Sequence, residues 1–377
     1  MFARTMDLFE IFGFQVRVDI TWLFLAALIT WSLATGYFPQ IEPGLAARTY
    51  WWMGIAGMIG LFLSIVFHEL SHSLVARRFG LPIRGITLFL FGGVAEMEQE
   101  PVSPKAEFLM AIAGPISSFL LAGTFYLLAA AAGDALPHPV VDVLGYLALL
   151  NFILAAFNLL PAFPLDGGRM LRAVLWHRKG SSRDATRIAA RIGSHFGVAL
   201  IVLGILNAIG GNLVGGFWLG LIGLFLRSSA LAHMQESALR HSLEGERVER
   251  YMTAPPVTVP PTLTLRELVD RYIYRERHEA YPVSDSSGRP LGIVSVHDVR
   301  AQPREEWGRI TVGQVMTESG PGNTIDADAD AVRALSTMQK NGHGRLLVTR
   351  GSQLVGIVAL KDLLRLLSLR MDLEGDA

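Results

Sequence analysis

A His-Glu-x-x-His motif inside a long apolar stretch is the feature that most constrains this chain. His68, Glu69 and His72 lie in a run that is almost wholly apolar from Trp51 to Ala76. On a helix, positions i and i+4 share one face, so the two histidines can bind one metal ion with the glutamate beside them as a base. Ionisable residues inside a membrane span are costly and mark function. The motif therefore predicts a zinc protease site within the bilayer.

The same three residues allow a second interpretation, a proton or ion pathway in a channel or transporter. The two histidines with an intervening glutamate are typical of metal-assisted hydrolysis. A transporter would place charges along a pore formed by discontinuous helices, whereas here they gather at one point. A channel or transporter stays as the alternative function. An inactive relative that only binds membrane partners is a third reading, against which the intact motif argues.

Six apolar segments approach the length of about 20 residues that a spanning helix needs. They are 20–38, 51–76, 108–132, 141–161, 192–209 and 213–226. The last two are short and are joined by a tight turn at 210–212. The chain is 51% hydrophobic and 18% charged, against roughly 25% charge in ordinary globular proteins. We therefore expect a multi-pass α-helical membrane domain in residues 1–232.

The basic residues are distributed unevenly between the two ends of these helices. Arg77 and Arg78 follow the second, Arg227 follows the sixth, and a larger group lies between the fourth and fifth; the opposite connections hold only Arg48. The positive-inside rule then places both termini and the C-terminal region in the cytoplasm of a cell. A net charge of +0 gives no reason to expect nucleic acid as a partner. The lack of cysteine excludes disulfides and thiolate zinc ligands.

Residues 85–97 directly follow the motif helix and have the pattern of two short strands around Gly92-Gly93. This membrane-associated β-hairpin has two interpretations. It can simply close the loop at the surface, or it can offer an edge strand with which an extended substrate pairs. The sequence leaves both open.

A catalytic zinc site uses three protein ligands and an open position, so the two histidines need a partner. The strongest candidate is Asp166, which follows Pro161 and Pro164 in a stretch that is still apolar. The prolines end the fourth helix, and Gly167-Gly168 permits a sharp turn behind the carboxylate. The alternative is an Asp-Gly turn that caps the next helix. The presence of His-Glu-x-x-His favours the ligand interpretation.

An internal repeat occupies the C-terminal third of the chain. Met252-Thr253 recurs as Met316-Thr317, Gly292-Ile-Val-Ser as Gly356-Ile-Val-Ala, and Asp298 as Asp362. Each copy has the pattern strand, helix, strand, turn, strand, helix. This resembles a tandem pair of CBS domains, at 251–303 and 310–370, which a helical connector at 233–250 joins to the membrane domain. The predicted fold is six transmembrane helices with a short β-hairpin plus a cytoplasmic α/β tandem CBS domain.

Three motifs together resemble the site-2 protease family of intramembrane zinc metalloproteases. They are His68-Glu69-Leu-Ser-His72, Ala113-Gly114-Pro115, and Asn158 followed by Pro161 and Leu165-Asp166-Gly167. The resemblance implies one zinc ion held by His68, His72 and Asp166, with Glu69 as general base. It also implies that Asn158 helps to bind the substrate backbone or the oxyanion.

The family resemblance further implies a substrate that is a single-span membrane protein, often a membrane-tethered transcription regulator or its inhibitor. The sequence departs from the family at Ser118, where the family often has asparagine, so no role is assigned there. It also has no PDZ-like insert to select substrates.

The CBS resemblance implies an adenine-nucleotide site, for ATP or a related nucleotide. CBS modules use Gly-h-h-Ser/Thr-x-x-Asp, in which the aspartate takes ribose hydroxyls, and Ser295 and Asp298 fit this pattern. The second copy keeps Asp362 but has Ala359 in place of the hydroxyl residue. We therefore expect one competent site at most, which would modulate the protease. A purely structural module that forms a homodimer remains nearly as well supported.

Overall fold

The computed structural model describes residues 5–89, 92–97, 101, 103–342 and 344–363. The chain forms two compact units, with the boundary between Gln235 and Glu236. The first unit contains long apolar helices and one small sheet. The second contains two small sheets with short helices.

Within the described part of the first unit, six helices are long and apolar enough to cross a membrane. The helices of this unit are α1 (Ile20–Ile41), α2 (Ala47–Arg78), α3 (Pro104–Ala132), α4 (His138–Asn158), α5 (Asp166–Lys179), α6 (Ser182–Ile209) and α7 (Leu213–Leu243), whose last residues lie beyond the unit boundary. Helix α5 is the short one that does not qualify as a span. The predicted number of spanning helices is confirmed.

Helices α6 and α7 are longer than the sequence predicted. Helix α6 begins at Ser182 rather than near residue 192, and α7 ends at Leu243 rather than near 226. The α6 extension is polar, so a search for apolar residues misses it although nothing in its composition stops a helix. The α7 extension covers part of the stretch where a helical connector at 233–250 was expected, and it continues the spanning helix without a break. Ser181 caps the start of α6, because its side chain accepts a hydrogen bond from the Asp184 amide.

The predicted hairpin belongs to a larger sheet. Its strands are β1 (Thr5–Ile11), β2 (Phe14–Asp19), β3 (Ile83–Phe89) and β4 (Gly92–Met97), in the order β1-β2-β3-β4. The pairs β1-β2 and β3-β4 are antiparallel, and β2-β3 is parallel. The sequence analysis missed β1 and β2. Gly92 and Gly93 lie within β4, opposite Phe89 and Leu88, rather than at the turn.

One face of this sheet packs on the helix that carries the motif. The buried side chains of β2 and β3 form a single cluster with residues of α1 and α2. Its fully buried members are Phe14, Val16, Val18, Trp22, Ala26, Val66, Leu70, Ile86 and Leu88. Burial of this apolar face fixes the register of the sheet against α2, and it therefore fixes β3 and β4 beside the His-Glu-x-x-His segment.

The second unit shows the predicted repeat. Its strands are β5 (Ala280–Ser284), β6 (Pro290–Ser295), β7 (Thr317–Glu318), β8 (Thr324–Asp326), β9 (Arg345–Arg350) and β10 (Gln353–Ala359), in sheets ordered β5-β6-β7 and β10-β9-β8. Its helices are α8 (Leu265–Leu268), α9 (Tyr274–Glu276), α10 (Val296–Arg300), α11 (Val312–Val315) and α12 (Ala331–Asn341). The first predicted strand of copy one is reduced to a single bridge between Val259 and Val283.

Candidate metal centre

The structure brings His68, His72 and Asp166 together in a buried triad. The histidines lie one turn apart on α2, and the aspartate is the first residue of α5. His68 Nε2 lies 3.1 Å from Asp166 Oδ2, His72 Nε2 lies 3.2 Å from the same oxygen, and the two Nε2 atoms are 3.2 Å apart. All three residues are at most 8% exposed.

The spacing of these atoms fits a zinc ion. Bonds of about 2.0–2.1 Å in a tetrahedral site place the ligand atoms about 3.3 Å apart. Two imidazole nitrogens and a carboxylate oxygen are donors that zinc accepts, and they leave a fourth position open. In the described part of the chain, this is the one group of three or more potential ligands of this kind that converges so closely.

The electrostatics of the triad favour an ionised carboxylate. Burial alone would raise the pKa of Asp166, but the facing His72 and His68 imidazoles outweigh it and hold this pKa below its usual range.

Helix α3 orients both histidines although it supplies no ligand of its own. The backbone carbonyl of Met110 accepts a hydrogen bond from His72 Nδ1 at 2.7 Å. The hydroxyl of Ser118 lies 2.9 Å from His68 Nδ1 and can accept the corresponding proton. With Nδ1 protonated, each Nε2 directs its lone pair at the centre, which is the tautomer that binds metal.

Gly114 lies between these two contacts and leaves room for the imidazoles. A Cβ added at this position would lie 2.2 Å from His72 Nε2 and 2.6 Å from His68 Nε2. Any side chain here would therefore displace the metal-binding atoms. This explains why the Ala-Gly-Pro motif of α3 accompanies the histidine motif of α2.

The same face of α3 also holds the helix that carries Asp166. Glu107 forms a buried ion pair with Arg172 of α5, with Nε and Oε1 2.9 Å apart. Glu107, Met110, Gly114 and Ser118 are spaced three or four residues apart and share one face of the helix. This face sets α2 and α5 in the relative position that the triad needs.

The loop before Asp166 packs closely against glycines. A Cβ on Gly167 would lie 2.2 Å from the Leu159 carbonyl oxygen, and one on Gly168 would lie 2.3 Å from the Phe163 nitrogen. A Cβ added on Gly193 of α6 would lie 2.1 Å from the Phe163 carbonyl oxygen. These close approaches hold the loop so that Asp166 turns back towards α2.

Glu69 lies against strand β4. A Cβ on Gly93 would lie 2.5 Å from Glu69 Cγ and 3.0 Å from its Oε1. The Glu69 side chain is half-buried. The carboxylate thus lies on the backbone of the outermost strand of the sheet, beside the triad.

The other predicted site residues are not brought to the triad by the described contacts. Asn158 ends α4, and its side-chain amide donates to the Leu154 carbonyl at 2.9 Å. In the second unit, the Asp298 carboxylate accepts hydrogen bonds from the Ser295 amide and hydroxyl at 2.8 and 2.7 Å, which caps α10. Asp362 lies in the helical turn after β10.

Ser118 and Met110 are the contacts that sequence analysis missed. The Met110 carbonyl gives no sequence signal, because every residue has one. Ser118 had a signal, since it lies four residues after Gly114 on the same helix face. Gly93 was expected at a turn and instead contacts Glu69.

Comparisons with known proteins identify the families that this chain matches. The sequence profile of Peptidase family M50 matches residues 56–136 and 128–203, and that of the CBS domain matches 248–304 and 312–369. A Mycobacterium tuberculosis protein named zinc metalloprotease Rip3 is 39% identical over 360 residues, which cover 95% of this chain and 91% of the relative. Zinc metalloprotease MJ0392 of Methanocaldococcus jannaschii is 30% identical over 371 residues, which cover 97% and 96%. The solved site-2 protease from that organism is 31% identical over 61% of this chain and 95% of its own, with a TM-score of 0.44.

Proposed function

This chain belongs to peptidase family M50, the site-2 protease family of zinc metalloproteases, and we propose that it cleaves a transmembrane segment of single-span membrane proteins. The observation that carries the proposal is the buried triad of His68, His72 and Asp166 among membrane-spanning helices, with Glu69 beside it. A membrane-tethered transcription regulator or its inhibitor is the substrate class that we propose.

The residues divide the hydrolytic work between them. His68, His72 and Asp166 would hold zinc, which when bound acts as a Lewis acid that makes water nucleophilic near neutral pH and polarises a carbonyl. Glu69 accepts the proton that the attacking water loses, and it returns this proton to the amide nitrogen that leaves. We propose Asn158 as an added hydrogen-bond donor to the oxyanion.

A helical substrate hides its peptide bonds, so it must unwind before cleavage. Among the described residues, β4 ends its sheet, and the outer side of an end strand is where an added strand can pair. The contact between Gly93 and Glu69 sets the base directly beside that strand. We propose that the unwound substrate pairs with β4 and thereby passes the triad.

The chain is a multi-pass membrane protein, and we propose that both termini and the CBS pair are cytoplasmic. We keep the division into a protease domain at 1–232, a connector at 233–250 and CBS domains at 251–303 and 310–370. The convergence of His68, His72 and Asp166 in one possible metal site supports hydrolysis over a CBS-gated channel or transporter.

We propose that the CBS pair modulates cleavage by binding ATP or another adenine nucleotide. Ser295, Asp298 and Asp362 are the residues we assign to this binding. A homodimer formed through the CBS domains is compatible with it. Calorimetric titration of the full chain with ATP tests the assignment, and an absence of binding would remove it.

Zinc content tests the proposed site without a known substrate. We expect about one zinc per purified chain, loss of zinc in His72→Ala and Asp166→Ala, and retention in Glu69→Gln. His195→Ala is a matched control, because this histidine is exposed on α6. A folded wild-type protein that binds no zinc would overturn the proposal.

A further inference from the structure

Helix α6 carries an arginine ladder, which we define as Arg183, Arg187 and Arg191. All three side chains are exposed. Successive members are four residues apart, and at 3.6 residues per turn this keeps them within about 80° of one another around the helix. The described residues provide no ion pair for any of them. One carboxylate, Asp184, lies in the same region, so the surface keeps a net positive charge.

The exposed apolar residues further along α6 continue the same face. Val198, Val202, Ile205 and Ile209 lie 15, 19, 22 and 26 positions after Arg183, which places them within about 40–100° of it around the helix. They are 37%, 49%, 56% and 78% exposed. On a helix that spans a membrane, such side chains face lipid.

The side of α6 that packs on the protein adjoins this face: the buried Ala190 and Gly197 lie about 20° and 40° around the helix from Arg183, on the side away from Arg191. Its small residues are buried, and a Cβ on Gly197 or Gly204 would lie 2.7 or 2.6 Å from backbone oxygens of α7. Gly193 packs on Phe163 as described above. Arg187 and Arg191 therefore point away from the packed side of α6, and Arg183 lies at its border.

The dimensions match a phospholipid. A helix of 28 residues is about 42 Å long, whereas the hydrocarbon core of a bilayer is about 30 Å thick. The arginine ladder covers about 12 Å at the polar end of the helix, so it extends across the head-group layer of one leaflet, which is about 5–8 Å deep, and beyond it. Val198 and Val202 follow Arg191 by about 10 and 16 Å, within the reach of an acyl chain in one leaflet.

We propose that this face of α6 binds an anionic phospholipid. The arginine ladder would hold the phosphate and the acidic head group by charge-assisted hydrogen bonds. Val198 and Val202 would contact the acyl chains. In the orientation proposed above, the lipid belongs to the cytoplasmic leaflet. The proposal does not depend on proteolytic activity.

The test uses the purified full chain in nanodiscs with equal amounts of dioleoyl phosphatidylglycerol and dioleoyl phosphatidylcholine. Native mass spectrometry counts the lipids that stay bound after release. We expect the wild type to retain phosphatidylglycerol in preference to phosphatidylcholine by about tenfold or more, because each arginine near an anionic head group contributes about fivefold. Replacement of the ladder by glutamine (R183Q/R187Q/R191Q) should abolish this preference.

Three further variants make the outcome decisive. R266Q/R275Q/R300Q removes the same charge from exposed positions of the second unit and should keep the preference. Replacement of the ladder by lysine should keep part of it. D184N should strengthen it, because this change removes the carboxylate that lies between Arg183 and Arg187 in the sequence. Zinc content equal to that of the wild type shows that each variant is folded.

Soluble glycerol 1-phosphate separates a lipid site from a site for free phosphate. It should not displace phosphatidylglycerol, because it lacks acyl chains. Displacement by this compound would overturn the lipid assignment. Equal retention of the two lipids by the wild type, or an unchanged preference in R183Q/R187Q/R191Q, would show that the arginines serve membrane orientation alone.

Discussion

The metal triad and the Ser295–Asp298 pair differ in how their residues come together. His68 and Asp166 are 98 residues apart in the chain and meet through the packing of α2, α3 and α5. Ser295 and Asp298 meet within a single turn, where each satisfies the other as a helix cap. Local structure fully explains the second pair, whereas nothing in local structure explains why two imidazoles and a carboxylate converge. Convergence through the fold is therefore the stronger indication of a binding site.

The largest effect is expected from Gly114→Ala. The new Cβ would lie within 2.6 Å of both Nε2 atoms, so the imidazoles must move and the triad must open. We expect zinc to be lost and proteolysis of a single-span test substrate to fall below detection. Metal analysis of the purified protein measures the first effect.

Gly123→Ala is the matched control for this variant. Gly123 lies on the same helix, but a Cβ there would meet nothing within 4 Å. It should keep zinc and activity. A Gly114→Ala protein with a full zinc content would show that α3 does not shape the site.

Glu69→Gln should have the next largest effect, which is on the rate of cleavage. The amide cannot accept the proton from water, and a general base is worth about 10²–10⁴ in rate. Zinc content should stay unchanged, because Glu69 is not one of the three ligands. Cleavage of the test substrate and zinc content are measured on the same preparation. Full cleavage by this variant would remove Glu69 from its role.

Ser118→Ala tests whether the hydrogen bond between Ser118 and His68 supports metal binding by the triad. Loss of the hydroxyl frees His68 to rotate and to change its tautomer, and such partners typically contribute 10–100-fold to metal affinity, so we expect a loss of roughly that size. Competition with a chelator measures the affinity. Ser118→Thr should restore most of it.

Ser117→Ala is the control for Ser118→Ala. Ser117 is buried on the same helix, but its hydroxyl donates to the Gly114 carbonyl rather than to a histidine. Zinc affinity should not change. Equal losses in the two serine variants would indicate a general effect of packing in α3.

The sequence predicted the features that depend on local patterns, and it did not predict those that depend on contacts between distant elements. Apolar length alone revealed the six spans, and the repeat at 251–370 revealed the second unit. The polar first turns of α6 escaped because they have no apolar period. Strand β2 was overlooked although it had a signal, since Phe14, Val16 and Val18 alternate with polar residues and are buried. In the site, spacing pointed to the two histidines, and the prolines and glycines around Asp166 pointed to it as the third ligand before the family resemblance added its support. The contacts of Ser118, Met110 and Gly93 depend on the register between elements, which no local pattern specifies.

Ser295→Ala should give the smallest effect. It tests the Ser295–Asp298 pair, whose contact is local. Loss of the cap on α10 should cost about 1 kcal/mol of local stability, whether or not a nucleotide binds. Hydrogen–deuterium exchange at β6 and α10 in the full chain measures this cost. Asp362→Ala should cost less, because Ala359 stands where the first copy has its capping serine.

If ATP protects α10 in the wild type and fails to do so in Asp298→Ala at matched stability, then Asp298 binds nucleotide as well as capping the helix. If ATP leaves the exchange unchanged in the wild type and in Asp298→Ala, the Ser295–Asp298 pair only caps the helix. The pair would then bind no ligand, in contrast to the metal triad.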